Sequence, residues 1–163
     1  VHRDGEPLAV TVDAWLDREI FTSTLAAEQK GWDWFALQLA DDRELMVYRL
    51  RRVDGSTDFA LGTLVSSDGA TSPLPAEAWT LTPGDTWKSP DTGSEYPVTW
   101  KLAIPGEAIE LELRAVMPDQ ENVSPRTGIH YWEGVVDVRA GGKSVGRGFV
   151  ELTGYGEGSR PPV

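Results

Sequence analysis

The sequence predicts an antiparallel all-β domain whose eight or nine strands close into an up-and-down β-barrel. Turn residues recur at short intervals, at Gly31, Asp41-Asp42, Asp54-Gly55, Asp68-Gly69, Pro83-Gly84-Asp85, Asp91-Thr92-Gly93, Pro105-Gly106 and Gly141-Gly142. The runs between them are short and rich in β-branched and aromatic residues, the pattern of hairpin-linked strands. No segment sustains a helical period. A meander of this many strands has two ladder edges to hide, and closure hides both; a two-sheet sandwich is the alternative.

In chain order, strands are expected near 11–20, 33–40, 43–52, 58–65, 76–82, 97–104, 107–116, 131–139 and 145–154. The first carries Asp13, Trp15, Asp17 and Glu19 on one face and Ala14, Leu16 and Ile20 on the other. Thr24 to Lys30 suits a turn of helix. The second strand is the aromatic run Gly31-Trp32-Asp33-Trp34-Phe35-Ala36-Leu37-Gln38-Leu39, and Asp41-Asp42 links it to the third as a hairpin. Residues 66–75 and 117–128 are polar, hold Pro and read as loops. In Val98 to Ile104 the even positions are apolar; in Ile109 to Arg114 the odd ones are, so each strand has one buried face. Pro105-Gly106 turns tightly between them. Tyr131-Trp132-Glu133-Gly134 and Val150-Glu151-Leu152-Thr153-Gly154-Tyr155 repeat the aromatic signature, and the Gly- and Pro-rich tail from Gly156 is expected to fray.

Composition narrows the function. The chain has 163 residues, 40% hydrophobic, enough for one domain with a real core, and neither an internal repeat nor a domain boundary is visible. Its net charge of −11 argues against nucleic acid and anionic membrane surfaces, which reward clustered Lys and Arg. With no Cys, thiolate catalysis, disulfides and Cys-ligated metals are excluded. No apolar run approaches the ~20 residues of a membrane helix. Val1 is not a native start, so the chain is expected to be a fragment or a mature form. Two His cannot build a His-rich metal site, and no carboxylate spacing resembles a calcium loop, so neither metal nor cofactor is expected. Gly142-Lys143-Ser144-Val145-Gly146 has the Gly-x-Ser-x-Gly spacing but falls in an expected hairpin rather than a strand-to-helix turn, so it gives no support for a nucleophile, and no phosphate-binding Gly-rich loop precedes a helix.

Four carboxylates and an amide, Asp17, Glu19, Glu133, Glu151 and Gln38, lie in or beside the aromatic segments. Polar groups among aromatics on strands suggest a cavity wall, because burying them is costly unless they are paired or used. The plainer readings are a solvated face for Asp13 to Glu19, and structural ion pairs of Glu133 and Glu151 with Arg18, Arg49 or Arg51. His130, at a strand start, reads as a surface or capping residue.

The chain resembles the C-terminal lipocalin-like domain of the AttH/carotenoid 1,2-hydratase (secreted hydrolase-like) family. The resemblance is carried by Ala14-Trp15-Leu16-Asp17-Arg18-Glu19, Gly31-Trp32-Asp33-Trp34-Phe35, Glu44 to Arg51, Trp87-Lys88-Ser89-Pro90 with Thr92-Gly93, Tyr96-Pro97-Val98-Thr99-Trp100, Tyr131-Trp132-Glu133-Gly134 and Gly148 to Tyr155, in that order. It implies a lipocalin-like barrel, the second of a tandem pair, with an N-terminal barrel of the same chain as partner and an exported location: secreted, periplasmic or cell-envelope. It also implies relatives that hydrate terminal isoprenoid double bonds or catalyse pericyclic cyclisations. The hydratase branch carries His and Trp where this chain has Arg18 and Ile20, and Asp where it has Leu50, so that constellation is incomplete here.

Together these readings predict a barrel over residues 1–163 that binds an apolar, isoprenoid or polyketide-like small molecule, with cofactor-free hydratase or cyclase chemistry as an extension. Glu19, Tyr48, Glu133 and Glu151 are the expected catalytic groups. Trp15, Asp17, Trp32, Trp34, Gln38 and Trp132 are the expected ligand wall. The rival is a non-catalytic interaction barrel with a filled interior, tied to export or lipid transport.

Overall fold

The computed structural model describes residues 1–11, 14–16 and 25–157. Its strands are β1 (His2–Arg3), β2 (Glu6–Pro7), β3 (Gln29–Leu39), β4 (Glu44–Arg52), β5 (Thr57–Val65), β6 (Thr71–Pro75), β7 (Thr80–Pro83), β8 (Thr86–Lys88), β9 (Glu95–Pro97), β10 (Thr99–Ile104), β11 (Ile109–Ala115), β12 (Glu121–Val123), β13 (His130–Ala140) and β14 (Lys143–Leu152). The main antiparallel sheet runs in the order β6-β5-β4-β3-β14-β13-β11-β10-β7, with β12 added on β13. That order is the chain order bent into a ring, because β3 pairs with β14. Among the described residues, the one seam without a ladder lies between β6 and β7, which are joined through a 3₁₀ turn at Ala76–Ala78.

One face of this sheet forms a single core that draws on both of its ends, from Leu74 on β6 to Leu81 on β7. A sheet can do this only by curling around its own inner face. Phe35, Leu37, Leu45, Val47, Leu113, Val136, Val138, Val150 and Leu152 are essentially inaccessible there. Trp79, Trp100, Trp132 and Tyr96 are buried with them, and Phe35 meets Trp100 edge-on at 5.2 Å. The interior is therefore filled with side chains. Tight curvature of β14 needs Gly148, where a Cβ would overlap the Leu37 methyl and stand 2.8 Å from the Ala36 carbonyl oxygen.

The alternation read in β10 and β11 holds: Trp100, Leu102, Ile104, Ile109, Leu111 and Leu113 face the core. The Asp41-Asp42 and Pro105-Gly106 hairpins form, with left-handed backbone at Asp42 (φ 64°) and Ala108 (φ 52°). Four expectations need correction. Residues 71–75 and 121–123, read as loops for their polarity, are the edge strands β6 and β12. Residues 76–78 are a 3₁₀ turn rather than strand. Ala27-Glu28 is a turn and Gln29-Lys30 already belongs to β3, so no helix forms there among the described residues. Most of the expected strand at 11–20, with Asp13, Asp17, Arg18 and Glu19, lies outside the described residues, as does the tail from Gly158; Ala14, Trp15 and Leu16 are described and are not in a strand.

Candidate functional site

Period two divides β3 into opposite faces. Asp33, Phe35, Leu37 and Leu39 are buried inward, so Trp32, Trp34, Ala36 and Gln38 face outward. Register then builds rows across the outer face. Glu133 lies opposite Glu151, Glu151 opposite Trp34, and Trp34 opposite Tyr48. The next row is Val135, Phe149, Ala36 and Met46, and the third is Asp137, Arg147, Gln38 and Glu44.

Residues 14–16 cross this face. Trp15 meets Trp34 edge-on, ring centroids 6.2 Å apart. Between them and the strands lies a cleft of about 470 Å³, lined by Ala14, Trp15, Trp34, Ala36, Gln38, Glu133, Val135, Arg147, Gly148, Phe149 and Glu151. Its volume is that of a small-molecule site, and aromatic walls with a few convergent polar groups suit one. Trp32 donates its indole N–H to Glu151 Oε1 at 2.6 Å, and Asn122 donates to Glu133 Oε2 at 3.2 Å. Directly opposed like charges repel across a strand pair, so these donors stabilise an otherwise unfavourable placement. Burial, the Glu133 and Glu151 charges and a hydrogen bond with Glu133 raise the neighbouring Tyr131 hydroxyl above its ordinary range, so it stays protonated.

Five expected site residues thus converge: Trp15, Trp34, Gln38, Glu133 and Glu151. Trp32 stands beside the cleft and orients Glu151. Tyr48 is one strand further out and packs on Phe59, centroids 6.4 Å apart, so it does not line the cleft. Trp132 belongs to the opposite face; it is buried in the core and donates to the Pro118 carbonyl at 2.7 Å. Asp17 and Glu19 lie outside the described residues. The sequence reading missed Arg147, Phe149 and Tyr131; their alternation with Gly148 and Val150, or with Trp132, was the available signal.

The expected partners of Arg49 and Arg51 also change. Both point inward to Asp33, away from Glu133 and Glu151. Arg49 donates to Asp33 Oδ2 through Nε (2.9 Å) and Nη2 (2.6 Å), Arg51 to Oδ1 at 3.1 Å, and Tyr155 to Oδ1 at 2.8 Å. Arg51 also lies 4.1 Å from the Tyr155 ring centroid and donates to the Thr153 carbonyl. The cluster is structural ion pairing within the barrel. Beside it, Glu121 accepts from Ser89, Thr92 and Tyr96 hydroxyls. His130 is not a surface residue: it is buried, with Nδ1 3.2 Å from the Gly128 carbonyl oxygen.

A larger depression of about 740 Å³ lies at a barrel end, among Leu39, Ala103, Ile109, Leu111, Ala140 and Val145. Its rim pair Asp41 and Arg43 bind each other, which leaves Glu110 as the other charged residue in its lining, fewer polar groups than the outer cleft brings together. Among the described residues no group of three or more His, Cys, Asp or Glu could hold a metal ion, and no helix is long and apolar enough to cross a membrane.

A family model described as AttH-like matches residues 1–155. The chain is similar to the crystal structure of an AttH protein from Nitrosomonas europaea, with a TM-score of 0.74 and 33% identity over 83% of this chain and 42% of that one. It shares its fold with kievitone hydratase from Nectria haematococca, with a TM-score of 0.58 and 24% identity over 76% of this chain and 39% of that one. The chain thus spans about two fifths of each of these proteins. No curated protein matches it.

Proposed function

The chain belongs to the AttH-like family, and from that premise we propose that its outer-face cleft binds an apolar, isoprenoid or polyketide-like small molecule and moves a proton to or from it. The observation that carries this reading is convergence. Three separate segments, at 14–16, β3 and the β13–β14 hairpin, bring Trp15, Trp34, Glu133 and Glu151 to one cleft on a protein whose interior is filled. Trp faces would hold the apolar body by area and stacking. A carboxyl pair on facing strands would supply general acid and base within reach of a bound double bond. Similarity to a hydratase supports hydration as the reaction class. Glu19 and Asp17, carried by the resemblance, complete the proposed polar set.

The test is titration of the protein with long-chain isoprenoids, followed by Trp fluorescence. Saturable quenching that is lost in Trp34→Ala supports the cleft. Glu133→Gln and Glu151→Gln should then leave binding intact and lower turnover of a bound alkene by about 10²-fold or more each. Unchanged turnover in both would sink the acid–base assignment. The filled interior favours a second reading, a non-catalytic barrel that scaffolds a partner, and absence of quenching across the panel would support it.

A further inference from the structure

The outer surface of the barrel has two unlike sides. On β10 and β11 the outward pairs are Thr99 with Arg114, Lys101 with Glu112 and Ala103 with Glu110, the composition of a sheet face in water. On β4 and β5 the outward pairs are Leu50 with Phe59, Tyr48 with Leu61 and Met46 with Thr63. Pro75 and Pro73 extend the last two rows onto β6. None of these side chains on β4 to β6 is charged, although charged residues make up 25% of the chain. Their inward alternates Leu45, Val47, Leu64 and Leu74 already fill the core, so core packing does not account for the outward set. Phe59 is 51% exposed, and both prolines are exposed. Charge returns only at the ends of the face. Arg52 pairs with Asp58 at one end, where Asp58 also accepts from Gln29, and Glu44 stands opposite Val65 at the other. Scattered apolar side chains are ordinary on a surface, but a contiguous uncharged face with a polar rim has the anatomy of an interface.

We propose that the uncharged outer face of β4, β5 and β6 docks a second folded unit of the same polypeptide, through an apolar surface of that unit. Two observations choose this occupant over a second copy of the chain. The first is length. The chain spans 42% of the similar AttH protein, so more than half of that protein lies outside the match and is available to cover a face here. The second is size. The face measures about 10 Å across three strands and about 13 Å from Leu50 to Met46. A free dimer buries about 800 Å² on each partner, far more than such a face supplies. A tethered unit needs less, because its effective concentration is of millimolar order and association costs it less entropy. The ligand cleft is lined by none of these residues, so the inference stands apart from the small-molecule reading.

The experiment is small-angle scattering and urea denaturation of the full-length polypeptide. The wild type should be compact and unfold in one transition. Phe59→Lys places a charge on the docked face and should lower the docked population by about tenfold or more, because a buried ammonium has no partner there. The radius of gyration then rises, and the single urea transition splits into two. Pro73→Lys, at an exposed position, should act in the same direction without disturbing the packing of Phe59 on Tyr48. Glu110→Lys, on the charged side, should leave both readouts at their wild-type values. An unchanged radius and a single transition in both Phe59→Lys and Pro73→Lys overturn the inference, as does a wild type that is already extended. Concentration-dependent association that Phe59→Lys abolishes overturns it too, since the occupant is then a second copy.

Discussion

Asp33→Asn should unfold this barrel more readily than any exposed substitution, and its cost can be worked from the structure. The carboxylate is fully buried and receives four hydrogen bonds, two from Arg49 and one each from Arg51 and Tyr155. Asparagine keeps the shape but not the charge, and its amide turns donors toward donors. Two guanidiniums then remain, with side-chain exposures of 19% and 10%, and the carboxylate that paired both of them is gone. Breaking a buried pair from one side costs about 3–5 kcal/mol. The residual exposure of Arg49 sets the expectation near the lower bound, about 3 kcal/mol, against a total stability of about 5–15 kcal/mol for a domain. For a chain of this size that lowers Tm by roughly 6–12 °C. Urea denaturation followed by Trp emission is the assay, since Trp100 lies 5.7 Å from the Arg49 guanidinium and reports on the same region. Asp54→Asn, in an exposed turn, is the comparison and should barely move the midpoint. The triple change Asp33→Leu, Arg49→Met, Arg51→Met should recover most of the loss, because it removes every buried charge together. A midpoint for Asp33→Asn within about 1 kcal/mol of wild type would refute the claim that the cluster is buried and mutually dependent.

Two further outcomes test the packing. Burial, reinforced by Asp33, raises Tyr155 well above the ordinary 10.0; burial and Glu121 raise Tyr96, and burial and Glu133 raise Tyr131. The folded state keeps protons that the unfolded chain releases above about pH 10, so stability is fully present below that pH and falls as pH rises beyond it. Absorbance at alkaline pH should show Tyr96 and Tyr155, two of the four tyrosines, ionising only as the protein unfolds, with Tyr131 ionising above its ordinary range, and ionisation of all four near pH 10 in the folded state would contradict this. Gly148→Ala should cost roughly 1–3 kcal/mol by overpacking against Leu37 and the Ala36 carbonyl, whereas Gly106→Ala, with open space around it, should be close to neutral by the same denaturation assay.

Alternation made the strands legible, and turn chemistry placed their hairpins; neither told which face of β3 is inside. The outward set Trp32, Trp34 and Ala36 is as apolar as the inward set, and the inward set contains a carboxylate. Local hydrophobicity therefore favoured neither side. Asp33 is tolerable inside only because Arg49, Arg51 and Tyr155 meet it there, and those contacts span 16, 18 and 122 residues of sequence. The same blindness put Trp132 in the ligand wall. It sits one residue from Glu133, and strand geometry sends the two to opposite faces. Short polar edges such as β6 and β12 were invisible for a related reason: an edge strand gains its ladder from a neighbour and needs no apolar pattern of its own.

A filled interior changes where function can reside in a barrel of this kind. Trp79, Trp100, Trp132, Tyr96 and Phe35 leave the inner face to packing, which fixes the backbone of β3, β13 and β14 from within. Outward side chains on those strands then inherit a rigid frame. All three are flanked by laddered neighbours on both sides, so Glu133, Glu151 and Trp34 sit on the stiffest part of the sheet and far from its seam. Catalytic or binding groups held on such elements are positioned more closely than groups on loops. The cleft gains its second wall from Trp15, which reaches it from outside the sheet. Shortening that wall by Trp15→Ala should therefore weaken ligand binding without lowering the stability of the barrel, while truncating an inward aromatic such as Trp100 should do the reverse, costing about 3–5 kcal/mol of stability. Loss of both properties in Trp15→Ala would mean that the outer face is part of the core rather than a site built upon it.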